Sequence, residues 1–305
     1  MKINKLILAG GTGFLGQAIV DRFNSNGTEI IVLTRGGDRK DKNIRYIHWD
    51  GKTLDKWAAE LEGTDVLVNL TGKSVDCRYT EKNKAEIISS RVNATKVLGD
   101  AISKTKNPPK VWMNAASATI YRYSEDTPMD EGQGETGSGF SVDVCKQWED
   151  AFNAATTPTT RKIALRISMV LGKQGGVIPV LSKLVKVGLG GKMGSGKQFI
   201  SWIHIDDFLN SIEWLIEHQQ DSGPYNMASP EPISNKEFMR IMRGTLHRKI
   251  GLPATKWMLE IGAFFIRTET ELILKSRRVV PGKLLKEGFM FKYGTAKAAL
   301  TNLLN

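Results

Sequence analysis

The stretch "LILAGGTGFLGQAI", residues 6–19, decides how the rest of the chain is read. An apolar run of strand length ends in glycines at 10, 13 and 16, and a helix-like pattern begins at once. In that setting Gly10 permits a tight turn, Gly13 lets the backbone approach a pyrophosphate, and Gly16 lets the helix pack closely on a sheet. The amides at the start of the helix then face the anion, helped by the helix dipole.

A glycine pattern alone is a weak signal, so its surroundings matter. The runs "KLILA" (5–9), "EIIVL" (29–33), "IRYIHW" (44–49), "DVLVNL" (65–70), "KVWMNAA" (110–116) and "KIALRI" (162–167) are short and apolar or β-branched. Helix-like stretches separate them, most clearly residues 80–104. Strands alternating with helices imply crossover units and a parallel sheet buried on both faces. After residue 167 the texture changes to glycine-rich loops, "LGKQGGVIP" and "GLGGKMGSGK", and from Pro230 onward to short helices punctuated by prolines. The expected architecture is an α/β, doubly wound parallel sheet over residues 1–229, with a loop insert at about 172–200 facing a substrate cleft. A small, mostly helical C-terminal lobe follows over 230–305.

The end of the second strand selects the dinucleotide. An Asp or Glu there would accept from a ribose 2′-hydroxyl and repel a 2′-phosphate. "VLTRGGDRK" instead offers Thr34 and Arg35, with Arg39 and Lys40 close behind. A guanidinium grips a phosphate through paired, charge-assisted bonds, so NADP(H) is expected in preference to NAD. The competing reading of Arg35 is a solvated loop residue.

Composition bounds the remainder. With 305 residues, 41% of them hydrophobic, the chain can bury a large core. Cys77 and Cys145 supply neither a metal site nor a disulfide framework, and suggest reduced thiols. The N-terminus has two lysines before an apolar run, but close-set glycines break the run and no cleavage-site pattern follows, which argues against a signal peptide. No stretch reaches the roughly 18–20 apolar residues of a membrane span, and "WMLEIGAFFI" (257–266) falls short. A soluble, cytoplasmic protein without a membrane partner is expected. The formal charge of +11 favours phosphate-bearing partners in general. Basic residues are scattered apart from "RIMRGTLHRK" (240–249) and "KSRR" (275–278), with no aromatic-interleaved groove. They read as a solvated basic surface, and nucleic acid is not expected as a partner.

"GGTGFLG", "VNLTG" (68–72), "SATIY" (117–121), "LRISMVLG" (165–172) and "FISWIHIDD" (199–207) together resemble the extended short-chain dehydrogenase/reductase superfamily, with its nucleotide-sugar epimerases and dehydratases. "RYTEKNKAEIISSRVNATKVL" and the tail from "GLPATKWMLEIGAFFI" to "KYGTAKAAL" resemble an atypical subgroup, the epimerase family proteins with a C-terminal domain of unknown function. The likeness covers nearly the whole chain. It implies a Rossmann core that binds NADP(H) and a small-molecule or nucleotide-linked substrate, and homodimers are expected from the extended relatives. It also implies that Gly10, Thr12, Gly13, Phe14, Leu15 and Gly16 form the pyrophosphate turn and that Thr34 and Arg35 meet the 2′-phosphate. Leu70, Thr71 and Gly72 would lie along the ribose. Glu86 and Arg91 would sit near the cofactor, although an exposed helical face accounts for them equally well. Asp50 would accept from the adenine amino group or else serve a surface turn. Met169 would border the nicotinamide ribose or else fill a core.

The same resemblance raises a difficulty. Related reductases pair a proton-handling tyrosine with a lysine four residues on, whose charge lowers the phenol's pKa. Aligning Glu149 with the family's downstream acid puts Ser141 and Cys145 at those positions in "GFSVDVCKQWED" (139–150), and a shift by one gives Phe140 and Val144, or Val142 and Lys146. No register supplies the pair. Ser117 matches the family's substrate-binding serine; Tyr121 is a candidate acid or else a packing residue, as the tyrosine at this place in epimerases is, with Tyr123 the other phenol nearby. Cys145 reads as an inert buried thiol. His204 reads as architecture at a strand-to-helix corner, with Asp206 as the expected helix cap. Two readings stand: an NADP(H)-dependent oxidoreductase or epimerase-like enzyme with a displaced acid, or a non-catalytic NADP(H)-binding redox sensor whose lobe meets a partner.

Overall fold

The computed structural model describes residues 3–25, 27–218, 222–255, 257, 258, 260 and 275–305. Its main sheet uses β1 (Lys5–Ala9), β2 (Glu29–Thr34), β3 (Arg39–Asp41), β4 (Ile44–His48), β5 (Val66–Asn69), β6 (Val111–Ser117), β7 (Arg161–Ile167) and β11 (Gly223–Met227). The order is β11-β7-β6-β5-β1-β2-β4-β3, parallel throughout except for β3, which runs antiparallel to β4. Six strands coincide with the apolar runs to within a residue, but the sheet has eight. The additional two are its edges. "RKD" of β3 is wholly exposed, and "GPYNM" of β11 opens with a dipeptide that reads as a turn. Pro224 is tolerated because an edge strand has ladder positions that need no N–H.

Alternation along the inner strands sorts side chains onto two faces. Leu6, Leu8, Ile30, Val32, Val66 and Val68 pack with Ile19 and Phe23 of α1 (Phe14–Asn24) and, further along, with residues of α5 (Ile205–Glu217). Ile7, Ile31, Leu33, Leu67 and Trp112 face the other way, onto α2 (Glu81–Lys104) and Phe152 of α3 (Phe140–Ala154). The strand order reverses between β1 and β5, which opens a crevice at their carboxyl ends.

A third apolar cluster builds the lobe. Ile178 and Val185 of α4 (Ile178–Lys186) meet Phe238 and Met242 of α6 (Asn235–Thr245), with Leu300 and Leu303 of α8 (Ala296–Leu304), around the fully buried Trp202. Residues 172–200 therefore share a core with the C-terminal helices. Short strands β8 (Met169–Leu171) and β10 (Trp202–His204) pair in parallel, and β9 (Phe199–Ile200) pairs antiparallel with β12 (Ile233–Ser234). A short helix, α7 (Gly282–Lys286), precedes α8. Of the apolar stretch 257–266, all but residues 257, 258 and 260 lie outside the described residues.

Buried polar contacts fasten lobe to core. The Asp207 carboxylate, at the start of α5, accepts from the amides of Lys292 and Tyr293 at 2.8 Å each. His204 itself, rather than Asp206, is the N-cap: its Nδ1 accepts from the Asp206 amide at 3.0 Å while Nε2 faces Asn302 Oδ1 at 3.1 Å. Burial holds its imidazole below the usual pKa, so it is a neutral structural group.

Gly16 sets the tightest packing in the first crossover: a Cβ there would lie 2.4 Å from the Cα of Gly11. Gly16→Ala is expected to cost about 1–3 kcal/mol through overpacking. Urea unfolding of the variant measures it, and an unchanged midpoint would refute the account.

Candidate functional site

The first loop is shaped by three different glycine environments. Gly10 has φ +75° and presses on the backbone of Leu70 and Thr71, where a Cβ would sit about 3.0 Å from Thr71 Cα. Gly16 is jammed against Gly11, as described above. A Cβ on Gly13, by contrast, would meet nothing within 4 Å. Gly13 is also the N-cap of α1, and no side chain caps the helix start. The amides there border open space, with Thr12 and Gly13 exposed. Phe14 lies against the Gly172–Gly176 loop, where a Cβ on Gly172 or Gly175 would come within 2.4 Å of its ring. Leu15 is half-buried and packs onto the core beneath. This cradle has the room and the unpaired donors that a diphosphate requires.

Beside it, Gly10 N donates to Leu33 O at 3.1 Å, which sets the end of β2 next to the loop. Thr34 accepts from the Gly36 amide through its hydroxyl at 3.3 Å. Arg35 is exposed, and Arg39 folds back over the Tyr46 ring, 3.7 Å from its centroid. A Cβ on Gly36 would stand 3.6 Å from Arg39 Nη1, so that guanidinium also lies along the turn. Asp38 is the acid in this turn, and its carboxylate is taken up by the His48 amide at 2.6 Å and by Lys56.

Asp50 is committed elsewhere. Its carboxylate accepts from the amides of Lys52 and Thr53 and from the Thr53 hydroxyl, at 2.8–2.9 Å. Those bonds, from the Thr53 amide first, hold its pKa down and fix a turn ahead of the one-turn helix Lys56–Leu61. The turn reading therefore accounts for this residue.

Across the crevice, the loop after β5 is clamped from below. Asn69 Nδ2 donates to Asn114 Oδ1 at 2.7 Å, and Asn69 Oδ1 accepts from the Thr71 amide at 3.0 Å. Thr95 joins this buried group and accepts from Trp148 Nε1 at 3.1 Å. Leu70 donates its amide to Ala9 O, and the Thr71 hydroxyl oxygen is buried without a partner. Gly72 lies directly on Arg91: a Cβ there would be 2.9 Å from the guanidinium carbon. Arg91 Nη1 donates to Lys73 O and Ile87 O at 2.9 Å, and the group stacks on Trp148. Among the described residues no carboxylate pairs with it. Glu86 pairs instead with Lys73, whose charge lowers the carboxyl's pKa. Glu86 and Arg91 thus grip Lys73 from two directions.

The positions expected of a tyrosine and lysine lie on α3. Ser141 and Cys145 are both buried, and the Cys145 thiol donates to Ser141 O at 3.1 Å. The Ser117 hydroxyl, at the end of β6, accepts from the Thr119 amide at 3.2 Å. Ser141 Oγ is buried without a partner. Burial first, then the Glu149 charge, pushes the Cys145 thiol up to about 11, against the opposing pull of Arg277 and Arg91. Arg277 was read as part of a solvated basic run. It is half-buried, and its charge bears on this thiol, while its neighbour Ser276 is fully buried and bonds Phe199 N and Ser124 O.

Tyr121 is not open to the crevice. It is 1% exposed, its hydroxyl donates to Asn226 Oδ1 at 2.9 Å, and it accepts from Arg166 Nη1 at 2.8 Å. Arg166 in turn holds Glu149 through two bonds of 2.8 Å. Burial raises the phenol's pKa, which makes it a weaker acid than a free tyrosine. Tyr123 is exposed, and its hydroxyl bond to Glu125 pushes it up to about 12. Met169 opens β8 just past β7, half-buried and packed on the lobe's cluster.

A thiol at about 11 stays protonated in the native state while the unfolded thiol ionises from about 9. Its contribution to stability is present below the unfolded value and is lost as pH rises through 9 to 11. Iodoacetamide at pH 8 is therefore expected to label half-buried Cys77 and spare Cys145 until the chain is unfolded. Peptide mapping reads this, and rapid native labelling of Cys145 would contradict it.

Comparison with known proteins places this geometry. The NAD dependent epimerase/dehydratase family model matches residues 6–228, and a domain of unknown function, DUF1731, matches residues 254–303. The chain is 32% identical to the epimerase family protein YfhF of Bacillus subtilis (strain 168), over 98% of this chain and 97% of that protein. The crystal structure of human epimerase family protein SDR39U1 (isoform 2) with NADPH superposes with a TM-score of 0.87 at 29% identity, covering 98% of both chains. A nucleoside-diphosphate sugar epimerase from Corynebacterium glutamicum superposes at 0.79 with 28% identity, over 99% of this chain and 58% of that one. With its glycine loop, reversed strand order and C-terminal lobe, the chain belongs to the NAD dependent epimerase/dehydratase family.

Proposed function

We propose that the chain binds NADP(H) along the carboxyl edge of its sheet and transfers hydride between that cofactor and a small or nucleotide-linked substrate held between core and lobe. The observation that carries the reading is the first loop: Gly10 and Gly16 have no room for a Cβ, while Gly13 faces open space at an uncapped helix start. Arg35, just past the end of β2, and Arg39, at the start of β3, supply the cations for a 2′-phosphate. The human relative bound to NADPH supports the same preference.

The cofactor, when bound, supplies the hydride chemistry. The chain's own residues do the rest. The grip on Lys73 holds the Leu70–Gly72 loop in place, and Asn69 and Asn114 fix it from beneath. Ser117, half-buried at the end of β6, presents a hydroxyl where a substrate oxygen would be held, and it is not an acid that ionises near neutral pH. Arg91 and Arg277 favour a substrate that carries negative charge, such as a phosphate or carboxylate. With no phenol on α3, kcat/KM should lack the alkaline limb that a tyrosine imposes.

A second reading rests on the same helix. The neutral Cys145 at the lysine's place, enclosed and bonded to Ser141 O, equally suits a protein that binds the cofactor and reports its redox state without turnover. NADPH deuterated at the transferable position separates the two. An enzyme moves label to a nucleotide sugar or other anionic carbonyl substrate, whereas a sensor retains it and binds the two redox forms with different affinities.

Arg35→Asp is expected to weaken NADP binding about tenfold or more, since each charge-assisted bond is worth about 1.5–3 kcal/mol, and to spare NAD. Thermal shift with each nucleotide measures this, and unchanged shifts with both would count against Arg35.

A further inference from the structure

Basic charge is not spread evenly over this chain. Residues 173–197 hold five lysines and no Asp or Glu, and residues 240–256 hold five basic residues and no Asp or Glu. The two segments thus account for ten units of the formal charge of +11, and the rest of the chain is nearly neutral.

The fold brings these segments together. Leu252 N donates to Gly188 O at 2.8 Å, Gly191 N to Leu252 O at 3.0 Å, and Ala254 N to Lys192 O at 3.0 Å. Arg243 Nη1 secures the turn through Gly190 O at 2.6 Å. Exposed apolar side chains occur on the same elements: Val187 is 71% exposed and Ile250 72%, Leu189 and Leu252 lie in the paired backbone segments, and Val180 stands two turns before Val187 along α4. Trp257, 61% exposed, follows three residues after Ala254. Of the eleven large apolar side chains exposed among the described residues, five fall on these two segments, and Trp257 and Met258 follow directly after the second. Lys183, Lys186, Lys192, Arg248 and Lys249 are exposed alongside them, and among the described residues none has a carboxylate partner.

We infer that this face of the lobe docks on an anionic phospholipid surface. Phosphate headgroups satisfy the lysines and arginines, and aliphatic side chains with a tryptophan gain by entering the headgroup–acyl boundary. A nucleic acid would use the charge and leave the aliphatic side chains in water. This amends the expectation of no membrane partner without requiring a span: among the described residues no helix is long and apolar enough to cross a membrane.

Cosedimentation of the intact chain with vesicles tests it, using phosphatidylcholine alone against phosphatidylcholine with about one third phosphatidylglycerol. Binding to the anionic vesicles is expected to be at least about tenfold tighter and to be reversed by salt. The double variants Lys183→Glu with Lys186→Glu, and Ile250→Asp with Leu252→Asp, should each lower that binding about tenfold while keeping the thermal midpoint, because all four sites are exposed. Equal affinity for both vesicles, variants that bind undiminished, or a chain that ignores vesicles and forms Ile250-dependent dimers would overturn the inference.

Discussion

The contact between Gly16 and Gly11 is the constraint from which the site follows. A helix whose third residue lies on the backbone of the preceding loop, 2.4 Å from where a Cβ would begin, cannot tilt or slide along the sheet. Its N-terminus is therefore aimed, and the dipole and free amides point where the strand order reverses. Gly10 closes the same loop onto the β5 strand end, so the cradle and the Leu70–Gly72 segment are positioned by one another. Gly13 is the member left facing space, and a ligand's backbone approach depends on that difference.

A second, buried system fixes the other wall. Glu149 on α3 holds Arg166 on β7, Arg166 holds the Tyr121 hydroxyl, and Tyr121 holds Asn226 on β11. Asn226 donates its side-chain amide to Val280 O and its backbone amide to one oxygen of Glu131, whose other oxygen accepts from the Lys283 amide. Such a chain of charges is a poor source of net stability, because desolvation offsets the attraction, but it is costly to break once formed. Its effect here is positional. Ser141 and Cys145 ride on the helix that Glu149 anchors, and Arg277 arrives from the C-terminal segment that Asn226 helps to hold.

How much of this was legible depends on the kind of signal each residue carries. Strands buried on both faces announce themselves as continuous apolar runs, so the six inner ones were visible. The edge strands carry charge or a turn-like dipeptide and were not. The glycine roles were legible because steric demand is local. Asp50 was ambiguous because the same carboxylate serves a turn or a ligand, and only the positions of the Thr53 and Lys52 amides decide for the turn. Tyr121 looked available since nothing in sequence reveals a partner 105 residues away on β11. Arg277 looked like surface for the same reason. Asn69, Thr95, Asn114 and Trp148, which support the crevice floor, read in sequence as ordinary strand and helix residues, and their polar groups meet only after the sheet forms.

Ser141 and Cys145, at the α3 positions that alignment with the related reductases gives to a tyrosine and a lysine, are better understood together than apart. The lysine's task in such a pair is to lower the pKa of a phenol, and it has no task once the phenol is gone. A lysine at position 145 would also sit beside Arg91 and Arg277 in a buried space, adding a third cation to a site whose nearest acid, Glu149, is already held by Arg166. Desolvation and like charge would both oppose it. A neutral thiol that donates to Ser141 O relieves that conflict. On the function proposed above, such an arrangement would make selectivity follow charge on the substrate more than pH.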